Sequence, residues 1–257
     1  MSVNVNVVYQ TVLNILNKEQ RGYLTPAEFN DISKQVQLEI FEKYFEDMNQ
    51  FLRVPQTDSD YANRVENLDE KIAIFKTSGE LTRQSTGANQ IYYILPTIDI
   101  FNTPVDFYRL GTLSWQGTEI QRVGRNEYYN LNKSPLTKPT EDFPVYSYEG
   151  GRIFISPELP SIVNYDPQGE ATPIPSPPVN VDFIREPVDP VWAFIPGIQG
   201  QYVYDSSTNS VNFELHPSEQ TELVLKILLY AGVVIRDPQI VQQAAGAIQK
   251  QEIEQKS

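Results

Sequence analysis

The chain of 257 residues has no cysteine, one histidine, two tryptophans and two methionines. Without cysteine it can form neither disulfides nor thiolate metal sites, and it has no cysteine nucleophile. A single histidine, His216, cannot build a histidine-based metal site within one chain. No long apolar run is present, so we expect no membrane-spanning segment. The N-terminus, MSVNVNVVYQ, lacks the basic region and apolar stretch of a secretory signal.

Positive charge is also scarce, because 33 acidic residues outnumber 20 basic ones and the net charge is −13. A nucleic-acid-binding protein is expected to carry a basic field, so tight DNA binding is not expected. One stretch, between Thr103 and Pro139, departs from this balance. It fits either a stacking platform for single strands or, as we favour, an aromatic-rich β core with solvated charges. Its members are the basic Arg109, Arg122, Arg125, Lys133 and Lys138, the acidic Asp106, Glu119 and Glu127, and the aromatic Phe107, Tyr108, Trp115, Tyr128 and Tyr129.

Catalytic signatures are missing as well. No nucleophile elbow, phosphate-binding loop, zinc-protease motif or dinucleotide fingerprint occurs in the sequence. His216 precedes Pro217 at a predicted strand-to-helix corner, where a histidine is more often structural than a catalytic base. No pair among the acidic residues stands out as general acid and base. We therefore predict no catalytic residue, no cofactor and no enzymatic activity.

The stretch NKEQRGYLTPAEF, residues 17–29, has the outline of a twelve-residue calcium loop. Arg21 occupies the fifth position, where a ligand oxygen is required and a cation would repel the ion. Glu28 can instead form a capping box with Thr25, ahead of Pro26 at the first helical position. We interpret the stretch as a bend between two helices and predict no metal site. The residues that match the loop pattern are Asn17, Glu19, Gly22, Thr25 and Glu28.

Helical periodicity governs both ends of the chain. Apolar residues recur at helical spacing over residues 5–16, on two sides of a helix after Pro26, and again from about residue 58 to Phe75. Near the C-terminus, Ser218 is predicted to cap a helix with the core LVLKILLYAGVVI. That core is apolar nearly all round, so it should be buried deeply or lie between subunits. A last helix is predicted after Pro238.

The middle of the chain shows a period of two with frequent turn residues, which predicts strands. After the strand QIYYILP, three hairpins are expected. Their strands are DFYRLGTLSW with TEIQRVG, FPVYSY with RIFIS, and QYVYD with SVNFEL. Between the second and third lies Pro157–Pro196, which holds ten of the nineteen prolines. Since proline cannot donate to a sheet ladder, we predict an extended excursion there, with short strands at VNVDFI and VWAFI.

These patterns together predict an α+β fold. The helical domain is expected to be discontinuous, from residues 1–85 and 216–257. A central β-rich domain, residues 86–215, is expected to hold an antiparallel sandwich or barrel-like sheet and the Pro-rich segment 157–196. The apolar helix faces and the Pro-rich segment favour protein–protein contact, or else they complete the chain's own core.

Three segments follow one another along the chain. They are LNKEQRGYLTPAEFN, then TPVDFYRLGTLSWQGTEIQRVGRNEYYNLNKSPLTKPTEDFPVYSYEGGRIFISPE, and then TELVLKILLYAGVVIRDPQIVQQA. In this order they resemble the head-to-tail connector (adaptor ring) proteins of short-tailed bacteriophages, notably crAss-like phage ring proteins and podoviral tail-tube adaptors. The similarity is one of motif order, from about Tyr9 to Ala245.

The resemblance implies a structural virion protein, assembled in the host cytoplasm and without membrane contact. Its copies would form a ring, usually twelvefold, below the portal, with the portal and neighbouring ring or tail proteins as partners. Genomic DNA would pass through the lumen without specific binding. The alternative function is a carbohydrate- or receptor-binding β module of a tail or surface structure, because the 15 tyrosines and two tryptophans could line sugar sites.

Overall fold

The structure is a computed structural model that describes residues 2–18, 24–51, 64–86, 90–98, 104–158, 163–165, 171–173, 178–197, 201–205, 209–235 and 242–250. It has the predicted α+β class. The chain divides into two compact units, a helical unit of Met1–Ile74 with Pro187–Ser257 and a β unit of Phe75–Glu186. Residues 75–85 thus belong with the β unit, and residues 187–215 with the helical unit, in contrast to the predicted boundaries.

The helical unit builds its core from the apolar sides of its helices. Phe29, Ile40 and Phe41 are fully or almost fully buried, and so are Leu223 and Ile227. Of the two interpretations of these helix faces, the chain's own core is therefore the correct one. None of the described helices is both long and apolar enough to cross a bilayer. The helices of this unit are α1 (Val5–Lys18), α2 (Pro26–Phe51), α3 (Arg64–Ala73), α5 (Gln220–Ile235) and α6 (residues 242–250).

Charged side chains also form ion pairs inside the helical unit, where α2 packs on α3 and α5. The Lys43 Nζ lies 3.0 Å from the Glu222 carboxylate, although Glu222 is only 3% exposed. Lys226 reaches both Glu222, at 3.7 Å, and Glu39, at 3.6 Å. A similar contact joins Lys71 to the buried Glu219. Buried charges persist only when they are paired, so this network fixes how the helices are assembled.

The N-terminus of α2 has the predicted capping box. The Thr25 amide donates to the Glu28 carboxylate at 2.9 Å, and the Glu28 amide donates to the Thr25 hydroxyl at 3.3 Å. Pro26 is the first helical residue, where its missing amide is not needed. Hydrogen bonds from the Thr25 side chain and then its backbone hold the pKa of Glu28 below its ordinary value of 4.5.

The capping box predicts a small dependence of stability on pH. A carboxyl group whose pKa is lower in the folded state stabilises that state above its unfolded pKa, near 4.5. This contribution is lost as the pH falls through the folded pKa. The free energy of unfolding, measured with urea, should therefore fall more below pH 4.5 for the wild type than for Glu28→Gln, whose residue 28 cannot ionise. Equal pH profiles for the two proteins would contradict the prediction. Near neutral pH, Thr25→Ala should lower the free energy of unfolding by about 1 kcal/mol, because it removes the capping hydroxyl.

The β unit is built on one eight-stranded sheet in the order β1-β10-β4-β5-β6-β7-β3-β2. Neighbouring strands are antiparallel except β5 and β6, which are parallel, so the sheet is mixed and not wholly antiparallel as predicted. A helix, α4 (Arg125–Lys133), connects these two strands and was not predicted. The strands are β1 (Lys76–Glu80), β2 (Thr82–Thr86), β3 (Gln90–Ile94), β4 (Phe107–Trp115), β5 (Thr118–Arg122), β6 (Val145–Glu149), β7 (Arg152–Ser156) and β10 (Val179–Arg185).

The two ends of this sheet meet at a single residue. β1 and β2 occupy opposite ends of the strand order, yet only Leu81 separates them in the sequence. The sheet must therefore curl until its first and last strands come together, which gives the barrel-like form. The Leu81 amide donates to the Val179 carbonyl at 2.9 Å beside this junction. The buried core of the unit includes Leu113, Trp115, Ile120, Ile153, Val181 and Phe183.

Two of the three predicted hairpins are confirmed, and each turns on residues with positive φ. Gln116 and Gly117 (φ 50° and 82°) join β4 to β5, and Gly150 and Gly151 (φ 55° and 75°) join β6 to β7. Glycine adopts this left-handed region without a steric penalty. The turn residues thus identified these pairings correctly.

The third predicted hairpin is wrong, and the Pro-rich segment is not one continuous excursion. β12 (Tyr202–Tyr204) pairs with β11 (Phe194–Pro196), not with the SVNFEL segment. Residues Val211 and Phe213 of that segment form only isolated bridges, to Val191 and Val3. The proline-free stretch β10 joins the large sheet, because Val179, Val181 and Phe183 alternate into its core. Two short strands, β8 (Val163–Tyr165) and β9 (Ala171–Pro173), pair separately.

Candidate assembly surface

The β11–β12 ribbon, here called the hairpin, is a two-stranded sheet in the helical unit. Phe194 pairs with Tyr204 and Pro196 with Tyr202, so these side chains share one face. Ile195 pairs with Val203 on the opposite face. The hairpin therefore has an aromatic face and an aliphatic face. Neither face is polar, as the solvent-facing side of a ribbon normally is.

The base of the hairpin is fixed by Trp192, which is 4% exposed. The Trp192 indole Nε1 donates to the Asn6 Oδ1 at 3.1 Å, and its backbone amide donates to the Asn30 Oδ1 at 2.9 Å. Its ring lies 4.2 Å from that of Tyr9, centroid to centroid. On the side of the hairpin, the same ring stacks with Phe194 at 6.1 Å. Trp192 thus ties the hairpin to the core through α1 and α2.

Beyond this base the hairpin is uncovered. The exposed fractions are 40% for Phe194 and 43% for Tyr202 on the aromatic face, and 53% for Ile195 and 45% for Val203 on the aliphatic face. A two-stranded ribbon is at best marginally stable in water unless another layer covers one of its faces. Contiguous exposed apolar side chains on a rigid base commonly mark protein–protein contact. The hairpin is therefore the candidate docking surface of the helical unit.

The hairpin lies in an uncharged stretch of an acidic chain. Residues 190–204, PVWAFIPGIQGQYVY, include no charged residue, although the chain as a whole carries −13. Copies of such an acidic protein repel one another wherever their charged surfaces approach. An uncharged apolar ribbon avoids this penalty. Periodicity analysis predicted the two strands of the hairpin, VWAFI and QYVYD, but it did not pair them with each other.

His216, the only histidine, has a structural position. Its Nδ1 accepts a hydrogen bond from the Ser218 amide at 3.3 Å and lies 2.8 Å from the Ser218 hydroxyl. It caps a short 3₁₀ turn, Pro217–Glu219, after which α5 begins at Gln220. The predicted capping role of Ser218 is thus taken by His216, because the 3₁₀ turn moves the first helical turn toward the N-terminus.

The stretch with the outline of a calcium loop, for which a bend and no metal site was predicted, lies partly outside the described residues, since positions 19–23 are not among them. Of the matching residues that are described, Asn17 is exposed, and Glu28 is hydrogen-bonded to Thr25. Within the part of the chain that the structure covers, no three histidine or acidic side chains converge to hold a metal ion.

The basic and aromatic stretch between residues 103 and 139 separates into two groups. Trp115 belongs to the buried core of the β unit, and Phe107 packs against it, which agrees with the β-core interpretation. Arg125, Tyr128 and Tyr129 instead lie on α4, which has no buried residue.

No protein-family model matches this chain, and no curated protein matches its sequence significantly.

Proposed function

We propose that this chain is a structural virion protein that forms a ring of identical copies at the head-to-tail junction of a short-tailed phage. The ring would lie between portal and tail, with genomic DNA passing through its lumen. The observation that carries the proposal is the uncharged, exposed hairpin on its tryptophan base. The motif order shared with connector proteins supports the same function.

Ring formation accounts for an exposed apolar surface that does not cause open-ended aggregation. In a cyclic assembly the hairpin of one copy contacts a different surface of the next, and closure leaves no hairpin uncovered. A net charge of −13 also suits a channel for DNA, because an acidic wall repels phosphates and lets the polymer slide. The twelvefold copy number usual in such rings comes from the resemblance alone.

A charge placed on the aliphatic face of the hairpin is expected to abolish assembly. Val203→Asp introduces a carboxylate that would be desolvated in the contact, which costs several kcal/mol per copy without a partner. The matched control is Val7→Asp, since Val7 is 48% exposed against 45% for Val203 and lies in the same unit. Sedimentation and electron microscopy, with and without the portal, should show rings for wild type and Val7→Asp only.

Two outcomes would count against these claims, and they differ. If the wild-type chain forms no ring and contacts no portal at any salt concentration, the connector function is wrong. If the wild type and Val203→Asp both form rings, the function stands and the hairpin is not the contact. Circular dichroism of each variant checks that the monomer fold is unchanged.

A further inference from the structure

The β unit contains a cavity of about 570 Å³ between α4 and the sheet. Strands β3, β6 and β7 form its floor, while α4 and the loop after it form one wall. Its aromatic lining includes Tyr128, Tyr129 and Phe154, and its charged lining includes Arg125, Lys138 and Glu149. The volume suits a ligand of one or two sugar rings, since small-molecule sites commonly measure 300–1,000 Å³.

The helix beside the cavity is held by polar contacts and not by a packed core. No residue of α4 is buried. The Tyr128 hydroxyl donates to the Ile155 carbonyl at 3.4 Å, and the Ser156 hydroxyl donates to the Asn132 Oδ1 at 2.6 Å. Partial burial of the Tyr128 hydroxyl raises its pKa, so the hydroxyl stays protonated. These contacts fix α4 while leaving the space beneath it unfilled.

Two tyrosines on α4 form an aromatic corner. The rings of Tyr128 and Tyr129, which both line the cavity, lie 6.0 Å apart at an interplanar angle of 83°. The Arg125 guanidinium lies 5.9 Å from the centre of the Tyr129 ring, and Tyr129 is still 49% exposed, so part of its ring is available to a ligand. A pyranose has a flat C–H face that packs on an aromatic ring and hydroxyl groups that bond to polar neighbours. Aromatic lining with a few polar groups matches this combination.

The charges around the cavity favour a ligand with one negative charge. Arg125 pairs with Glu149 at 3.1 Å, and Glu158 pairs with Arg83 at 3.2 Å. Lys138 has no ion-pair partner among the described residues, so one positive charge at the cavity is uncompensated. A polyanion such as single-stranded DNA would meet both carboxylates, whereas a single carboxylate can reach Lys138 alone. In physiological salt, interactions between charges more than about 8 Å apart are largely screened. The charges that line the cavity therefore affect a bound ligand more than the net charge of the chain does.

We infer that the cavity binds a saccharide unit that carries one carboxylate, a hexuronic acid, with its ring on Tyr129 and its carboxylate at Lys138. This binding function goes beyond the proposed ring and does not depend on assembly. It gives the glycan-binding activity considered from the sequence a specific location and ligand class.

The test compares sugars that differ only at one carbon. Methyl glycosides of glucuronic and galacturonic acid are set against those of glucose and galactose, using saturation-transfer NMR and titration on the full chain. At least one uronide should bind at least about tenfold more tightly than its neutral counterpart, because hydrogen bonds to charged groups contribute about 1.5–3 kcal/mol. Lys138→Gln should remove this preference. Tyr129→Ala should lower the affinity for both members of the pair.

The matched control is Tyr202→Ala, which removes a similarly exposed tyrosine in the hairpin, 43% against 49% for Tyr129, and should leave binding unchanged. Binding of neither uronide, equal binding of acidic and neutral sugars, or insensitivity to Tyr129→Ala would each overturn the inference. Displacement of the uronide by a short deoxythymidine oligomer would also overturn it, in favour of a nucleic-acid site. Sedimentation of the same samples reports ring formation separately, so failure of one proposal is distinguishable from failure of the other.

Discussion

Replacing Glu222 with alanine is expected to destabilise the helical unit by about 3–5 kcal/mol, the usual cost of removing one partner from a buried ion pair. Glu222 is 3% exposed and accepts from Lys43 at 3.0 Å. The substitution leaves Lys43 without this carboxylate, and Lys226, itself 7% exposed, retains only the more solvent-exposed Glu39. The large effect arises because Glu222 is a carboxylate of this network that is shielded from water, and both lysines lose it at once.

Urea unfolding followed by far-ultraviolet circular dichroism measures this effect, because most of the helix lies in the unit concerned. The matched control is Asp189→Ala. Asp189 also pairs with a lysine, Lys34, but the two side chains are 53% and 61% exposed. Exposed pairs contribute about 1 kcal/mol or less, so this variant should unfold close to the wild type. Similar losses in the two variants would show that burial does not determine the strength of the network.

Trp192→Ala is expected to cost about 3–5 kcal/mol and to release the hairpin from its base. The substitution opens a cavity beside Tyr9 and leaves the Asn6 amide oxygen without the indole donor at 3.1 Å. The ring contacts to Phe194 and Tyr204 are lost at the same time. The proposed ring assembly should fail together with stability, since the candidate docking surface no longer has a fixed position.

Tryptophan fluorescence offers a clean readout for this variant. The chain has two tryptophans, and Trp115 lies in the β unit. In Trp192→Ala the remaining fluorescence therefore reports on the β unit alone and should keep its wild-type unfolding midpoint, while the helical signal shifts to lower urea. Tyr202→Ala, which removes an exposed ring of the hairpin, should shift neither transition by more than about 1 kcal/mol. If both signals shifted together to lower urea, the effect of Trp192 would not be confined to the helical unit, which would contradict the prediction.

Sequence patterns identified the elements whose signals are local. The capping box of Thr25 and Glu28 and the glycine turns at Gly117 and Gly151 depend on residues a few positions apart. The buried helices α2 and α5 were likewise evident from apolar spacing. In each case the preferred local conformation and the final packing agree.

The missed elements depend on distant partners. β1 and β2 have the sequences KTSGE and TRQST, which lack alternating apolar residues, and they are strands only because β10 and β3 lie beside them. Helix α4 has no buried residue, so no apolar stripe indicated it. The prediction of the third hairpin failed because a turn-rich segment permits the two strands beside it to pair without requiring them to do so. Neither the hairpin nor the cavity was located from the sequence, since both are defined by what tertiary packing leaves uncovered.

The chain enters and leaves the β unit at adjacent backbone positions, since the Arg185 amide donates to the Phe75 carbonyl at 3.0 Å. The segment between them is contiguous, and the flanking pieces make up the other unit. Such a segment can be exchanged as a cassette, because closing the gap requires only a short linker. Evolution can therefore exchange or diversify the inserted module while the flanking pieces keep their own helical core.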